Sequence, residues 1–89
     1  MKPIVFSQHA QVKQLVLAEH GFRITEERVR DCIETPELIQ EGHGECMIAQ
    51  RGFDSRHVLR VVYEEQENAI IVVTTYPGRK ERYEEGQVQ

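Results

Sequence analysis

The strongest pattern of hydrophobic and polar positions lies in the C-terminal third of the chain, at residues 57–83. Two runs rich in Val, Ile, Thr and Tyr flank the polar segment 64–68. β-branched and aromatic residues favour strands, and two such runs joined by a short polar segment predict a β-hairpin. An even-numbered turn would pair Tyr63 with Ile70. The strand period of two would then place one apolar set on a single face and Arg60 on the other, beside Val73. That apolar set is Leu59, Val61, Tyr63, Ile70 and Val72.

Residues before the hairpin switch to helical spacing. Val12, Leu15 and Val16 recur at that spacing between Ser7, a natural N-cap, and a glycine at position 21. This pattern predicts a helix over residues 8–20 with its apolar stripe on the sheet.

A second short helix is predicted to begin after Thr25. Ile24 and Val29 have the spacing of a hydrophobic staple. The residue before proline avoids helical dihedrals, so Pro36 ends the helix near residue 35.

The remaining segments are short. Residues 4–6 are expected to form a strand, residues 41–45 a loop, residues 46–49 a strand that ends at position 52, and residues 53–56 a turn. Helices that cannot be stable alone need the hairpin as a packing surface. We therefore expect one α+β domain over residues 1–89. It would have a short N-terminal strand and two helices on one face of a three- to four-stranded antiparallel sheet.

Composition restricts the possible functions. The formal net charge is −4; residues 1–44 carry five basic and seven acidic side chains, and residues 45–89 carry six and eight. A phosphate-binding surface must then be a local patch, because the chain has no general basic field.

The longest apolar run, residues 69–73, is too short to cross a bilayer, and no signal peptide is evident, so we expect a cytoplasmic protein without a membrane partner. The oligomeric state is left open.

Several short motifs resemble a known bacterial family. They are Ser-Gln-His-Ala at 7–10, Leu-Arg-Val-Val-Tyr-Glu-Glu at 59–65, Ile-Val-Val-Thr at 71–74 and Tyr-Pro-Gly-Arg-Lys-Glu-Arg-Tyr at 76–83. The family is one of domains of unknown function, and it looks like a relative of the BrnT and RelE toxins, metal-independent ribonucleases of toxin–antitoxin systems. The resemblance covers nearly the whole chain. It implies a RelE-like fold, an endoribonuclease or a descendant of one, and RNA, the ribosome or a small antitoxin protein as partners.

The reaction implied by this resemblance is attack of a ribose 2′-hydroxyl on the adjacent phosphate. It needs a base, an acid and cations that stabilise the charged phosphorane. The resemblance gives the catalytic roles to His9, Arg60, Arg79, Arg82 and Tyr83, and substrate binding to Lys80 and Tyr76. Guanidinium groups would hold the phosphate, and a tyrosine would stack on a base or donate a proton.

Other interpretations of the same residues stay open. A histidine at position 9 is more often a boundary residue bonded to backbone, and Tyr76 is compatible with a position in or beside the core. The basic residues of the tail alternate with Glu81, Glu84 and Glu85, which is typical of a solvated strand end. The alternative function is a non-enzymatic protein-interaction module, whose exposed strand at 46–51 or at the sheet edge accepts a partner strand.

A metal site is not predicted. Cys32, His43, Cys46 and His57 are of ligand type, but they form no paired Cys-x-x-Cys or His-x-x-x-His element. No phosphate-cradling glycine loop is present either, so we expect no metal or cofactor, and both cysteines reduced.

Overall fold

Eight elements follow one another along the part of the chain that the structure, a computed structural model, describes: residues 2–83. They are β1 (Ile4–Phe6), α1 (Gln8–Glu19), α2 (Glu26–Glu34), β2 (Leu38–Glu41), β3 (Met47–Gly52), β4 (His57–Glu65), β5 (Ile70–Arg79) and α3 (Lys80–Tyr83). The strands form one sheet in the order β1-β5-β4-β3-β2. The protein is therefore α+β, as the sequence predicts.

The sheet differs from the expected three or four antiparallel strands. It has five, and β1 runs parallel to β5, with Ile4 opposite Ile70. Strand β2 was not predicted. It has only four residues, and the glycine-rich segment that directly follows it is typical of a loop. It pairs antiparallel with β3 from Leu38 opposite Gln50. This places β3 inside the sheet, so the expectation that 46–51 offers an exposed edge is wrong.

The hairpin β4–β5 has the predicted faces but a different register. Tyr63 lies opposite Val72 rather than Ile70, because the strands stay paired up to Glu65 and Ile70. A β-bulge at Val62/Tyr63 then shifts the remaining pairs. As a result, Arg60 faces Tyr76 and not Val73.

One face of the sheet carries the core. The buried cluster joins the predicted apolar set of the hairpin to residues from both longer helices, β1 and β3: Ile4, Ala10, Ile24, Val29, Cys32, Ala49, Leu59, Val61, Tyr63, Ile70 and Val72. Both helices begin where predicted, since the Ser7 hydroxyl accepts from the Ala10 N–H and the Thr25 hydroxyl accepts from the Arg28 N–H. Within residues 2–83, no helix is long and apolar enough to span a membrane.

The predicted packing of α1 is wrong. Val12, Leu15 and Val16 are 53%, 70% and 44% exposed, so this stripe faces away from the sheet. The helix instead packs through fully buried Ala10 and partly buried Leu17. The small side chain of Ala10 lets α1 approach the strands closely. Helical spacing identifies an apolar stripe but does not show whether that stripe faces the sheet or the solvent.

Candidate functional site

A cavity of about 510 Å³ lies where the β3–β4 turn meets the end of β5. Its walls are formed by Ser55, Arg56, His57, Arg79, Lys80 and Glu81. The Lys80 N–H donates to the Arg56 carbonyl over 2.9 Å, which ties the start of α3 to the turn. Because His57 also lies opposite Arg79 in the hairpin, both walls are held in register.

The turn fixes a carboxylate–imidazole pair beside this cavity. Asp54 Oδ1 accepts from the backbone N–H groups of Arg56 and His57, at 2.8 Å each. The same oxygen lies 2.9 Å from His57 Nδ1. The Arg56 N–H, with the bonds to His57, holds the pKa of Asp54 below its usual range. An ionised carboxylate only accepts, so His57 Nδ1 carries a proton and donates it to Asp54, and Nε2 is the ring nitrogen left without this bond.

Aromatic contacts hold the imidazole and the turn in place. The ring of Phe22 meets His57 edge-on, with centroids 4.9 Å apart. Phe53 lies 6.2 Å from Phe22 and is covered by the Arg28 guanidinium at 4.4 Å. The pair Asp54–His57 therefore rests on a fixed support rather than on a free loop.

The cavity lining is cationic. Arg56, Arg79 and Lys80 line it together with a single carboxylate, Glu81. Arg79 and Glu81 lie 3.7 Å apart, and both side chains are largely exposed, so their attraction is weak. This patch concentrates positive charge locally in a chain of net charge −4.

A second polar cluster lies on the sheet face opposite α1 and α2. Arg60 is only 5% exposed. Its Nε donates to the Tyr76 hydroxyl and its Nη2 to Gln40 Oε1, both over 2.9 Å, and its Nη1 donates to Gln50 Oε1. The ring of Tyr83 covers the guanidinium at 4.4 Å. We call these five residues the Arg60 cluster.

The predicted site residues do not come together in one place. Arg60, Tyr76 and Tyr83 meet in the Arg60 cluster, while Arg79 and Lys80 line the cavity. Arg82 lies 5.8 Å from the Tyr83 ring and is exposed. His9 is exposed on α1, whose neighbour Ala10 packs into the core on the opposite side of the sheet from Arg60. His9 and Arg60 therefore belong to opposite sides of the sheet.

Asp54 and His57 were not predicted as a pair. An aspartate at the start of a turn accepts hydrogen bonds from the backbone N–H groups of the second and third residues after it. When the third residue is a histidine, its imidazole lies within hydrogen-bond distance of the same carboxylate. The segment Asp-Ser-Arg-His carries that signal. The basic tail was expected to be a strand end, whereas residues 80–83 form a helical turn; Glu84 and Glu85 lie outside the described residues.

The ligand-type residues considered for a metal are dispersed. Across the described residues 2–83, no three His, Cys, Asp or Glu side chains are grouped so that they could hold a metal ion. Cys32 is buried in the core with Sγ 3.4 Å from the Ala49 carbonyl oxygen, and burial raises the pKa of this thiol to about 12. Its environment is that of a core residue.

Fold and site together define a small α+β protein with a cationic cleft, backed by a carboxylate–imidazole pair, at the end of a β-hairpin. The chain belongs to the family described as "Domain of unknown function (DUF4258)", whose model matches residues 6–77. That range contains Asp54, His57 and Arg60 and stops before Arg79. No curated protein and no solved structure matches the chain significantly.

Proposed function

We propose that this protein is a metal-independent endoribonuclease of toxin–antitoxin type, or a descendant of one. The observation that carries the proposal is His57, with Nδ1 bonded to Asp54, in a cavity that three cationic side chains line. A base and cations beside a space large enough for a nucleotide are what phosphodiester cleavage by a 2′-hydroxyl requires. The family resemblance to BrnT and RelE toxins supports the same reaction.

The residues of the cavity divide the chemistry as follows. His57 Nε2 takes the proton of the ribose 2′-hydroxyl, whose oxygen attacks phosphorus and forms a 2′,3′-cyclic phosphate. Arg56 and Arg79 stabilise the additional negative charge on the phosphate oxygens. The bond from phosphorus to the 5′-oxygen breaks, and Lys80, a cation with a transferable proton, protonates that leaving oxygen.

The test uses short single-stranded RNA labelled at its 5′ end, with and without ribosomes, in the presence of a chelator. We expect products that end in a 2′,3′-cyclic phosphate, and no cleavage where the nucleotide is 2′-deoxy. His57→Ala is expected to lower the rate about 100-fold or more, the lower range of general-base contributions. His20→Ala is the matched control, since His20 is exposed at the end of α1 and its imidazole bonds only the Val16 carbonyl in the described structure.

Two results would refute the proposed site: no cleavage in either setting, or cleavage that His57→Ala leaves intact. A rate that falls with His9→Ala but not with His57→Ala would instead assign the base to α1. These outcomes distinguish His57 from His9 as the base.

A protein-interaction module is the second candidate function, and the exposed stripe Val12, Leu15 and Val16 of α1 favours it. An apolar stripe left in solvent is typical of a surface that a partner covers. Co-expression with the product of a neighbouring reading frame tests it. The module is supported if Leu15→Lys disrupts the complex, Ala18→Lys does not, and cells without the partner grow normally. The toxin is supported if cells without the partner stop growing and the partner relieves this arrest.

A further inference from the structure

The Arg60 cluster contains a buried positive charge without a counter-ion among residues 2–83. No carboxylate within that range forms an ion pair with the guanidinium; Glu65, Asp54 and Glu81 pair instead with Lys2, His57 and Arg79. A guanidinium so deeply buried normally has an anionic partner, because its desolvation is costly. Its neighbours here are two neutral carboxamides and two phenols.

The cluster offers hydrogen-bond donors in excess. Arg60 has five N–H donors, and three bonds to neighbouring side chains are present. Gln40 and Gln50 give their oxygens to Arg60, so each keeps an NH₂ group as donor. Tyr76 accepts from Nε and keeps its own O–H. A fixed cation surrounded by donors matches an oxyanion, and the planar guanidinium suits the paired oxygens of a phosphate.

We propose that the Arg60 cluster is a phosphate-binding site, with Arg60, Gln40, Gln50 and Tyr76 as ligands and Tyr83 as its cover. The site lies on the opposite sheet face from α1 and α2 and shares no residue with the cavity beside His57. It is therefore independent of the proposed cleavage reaction. The phosphate belongs either to a free nucleotide or to a polynucleotide backbone, and both present the same group.

The decisive variant is Gln40→Glu. Gln40 is exposed on β2, and its Oε1 lies 2.9 Å from Arg60 Nη2, so a carboxylate there would provide the missing counter-ion within the protein. We expect Gln40→Glu to raise the melting temperature and to abolish stabilisation by inorganic phosphate. Gln66→Glu, the same charge change in the exposed β4–β5 turn, is the control.

Binding is measured by thermal shift and ³¹P NMR with inorganic phosphate, then with a nucleoside 5′-monophosphate and with single-stranded RNA. The wild type should bind phosphate, and Arg60→Met should weaken the affinity about tenfold or more, as loss of a charged hydrogen-bond partner implies. Arg23→Met, at an exposed arginine, should not. An RNA affinity that falls by the same factor as the phosphate affinity identifies a polynucleotide as the source; an unchanged RNA affinity identifies a free phosphate compound.

The proposal is overturned if the wild type does not bind phosphate, or if Arg60→Met and Gln40→Glu bind it as the wild type does. Because Gln40 is exposed, Gln40→Glu keeps the test valid even if Arg60→Met does not fold. A protein that binds phosphate through Arg60 but cleaves no RNA refutes the proposed function alone. Cleavage by the wild type, together with unchanged phosphate binding in Arg60→Met, refutes the phosphate site alone.

Discussion

The ring of Tyr83 occupies the space that a side chain on Gly78 would fill. A Cβ on Gly78 would overlap Cε2 of the ring and lie 2.6 Å from Cδ2. The same ring stacks on the Arg60 guanidinium at 4.4 Å. The backbone at Gly78 does not have a positive φ, so the position requires the absence of a side chain and not conformational freedom. Gly78 thus allows α3 to fold back over the Arg60 cluster.

Gly78→Ala is expected to displace the Tyr83 ring and expose Arg60. The lost cation–π contact should cost about 0.5–2 kcal/mol of unfolding free energy. Tyr83→Ala should cost a similar amount, and Gly78→Ala introduced into Tyr83→Ala should cost little more, because the clash is then absent. Urea denaturation of the four proteins of this cycle measures the coupling.

Gly52→Ala provides the control for that cycle. Gly52 is also in a strand, and a Cβ there meets only Glu37 Oε1, at an ordinary 3.6 Å. The Tyr83 ring does not lie over position 78 if Gly78→Ala and Gly52→Ala lower the unfolding free energy equally. The same follows if the losses caused by Gly78→Ala and Tyr83→Ala add fully in the double variant.

Features that depend on a few neighbouring residues were predicted correctly from the sequence. The alternation at Leu59, Val61 and Tyr63 gave the buried face of β4, and Ser7 and Thr25 gave both helix starts. These signals act over a few residues, so a single sequence contains them. Most of the core followed from them, as did the position of Arg60 on the sheet face opposite α1 and α2, but not its burial under Tyr83.

Relationships between distant segments were not predictable in the same way. Pairing of β1 with β5 joins residues 66 positions apart, and nothing in Ile4–Phe6 marks a parallel neighbour. The exposed stripe of α1 was assigned to the core because periodicity gives a face but not its direction. The cavity likewise forms only when the β3–β4 turn meets the end of β5, so its lining could not be grouped from the sequence.

The Asp54–His57 pair predicts how the cleavage rate responds to loss of the carboxylate. Asp54→Asn should lower the cleavage rate, by at most about 10⁴-fold, the loss seen when the aspartate that orients a catalytic histidine is replaced by asparagine. The low pKa of Asp54, caused first by the Arg56 N–H, keeps the carboxylate ionised at mildly acidic pH, so its protonation should not limit the rate there. Single-turnover kinetics on labelled RNA measure the effect.

Asp31→Asn is the matched control, because Asp31 is the other aspartate of the chain and is exposed on α2. It should cleave as the wild type does. If Asp54→Asn retained full activity, the bond from Asp54 to His57 would be part of the turn and not of the chemistry.

Thr75 contributes a defect to the core. Its hydroxyl is completely buried, opposite Val61, and has no hydrogen-bond partner within residues 2–83. A buried polar group without a partner costs about 1–3 kcal/mol, so Thr75→Val, which keeps the shape, should stabilise the protein by about that amount. Thr74→Val, at the half-buried neighbour on the other face, should have a smaller effect. Chemical denaturation that shows no gain for Thr75→Val would mean that the hydroxyl is satisfied.

The two cysteines should differ in reactivity, because only one is enclosed. Cys32 is fully buried, with a pKa raised to about 12 mainly by burial, whereas Cys46 is half-buried in the β2–β3 turn. Iodoacetamide at pH 8 should modify Cys46 and leave Cys32 intact until the protein unfolds, since the thiolate is the nucleophile. Mass spectrometry of native and denatured samples reads out both sites. Equal modification of the two in native protein would contradict this burial.

The same pKa shift predicts a loss of stability in alkaline solution. In the unfolded chain the Cys32 thiol ionises near its ordinary pKa of 9.0, whereas in the folded protein it stays protonated to about 12. The folded state therefore binds more protons between these values, and its stability falls as pH rises through that window. Cys32→Ala removes this contribution, so its unfolding free energy should decline less steeply above pH 9 than that of the wild type. Urea denaturation at pH 8 and pH 10 compares the two; identical slopes would show that Cys32 ionises in the folded protein as readily as in the unfolded chain.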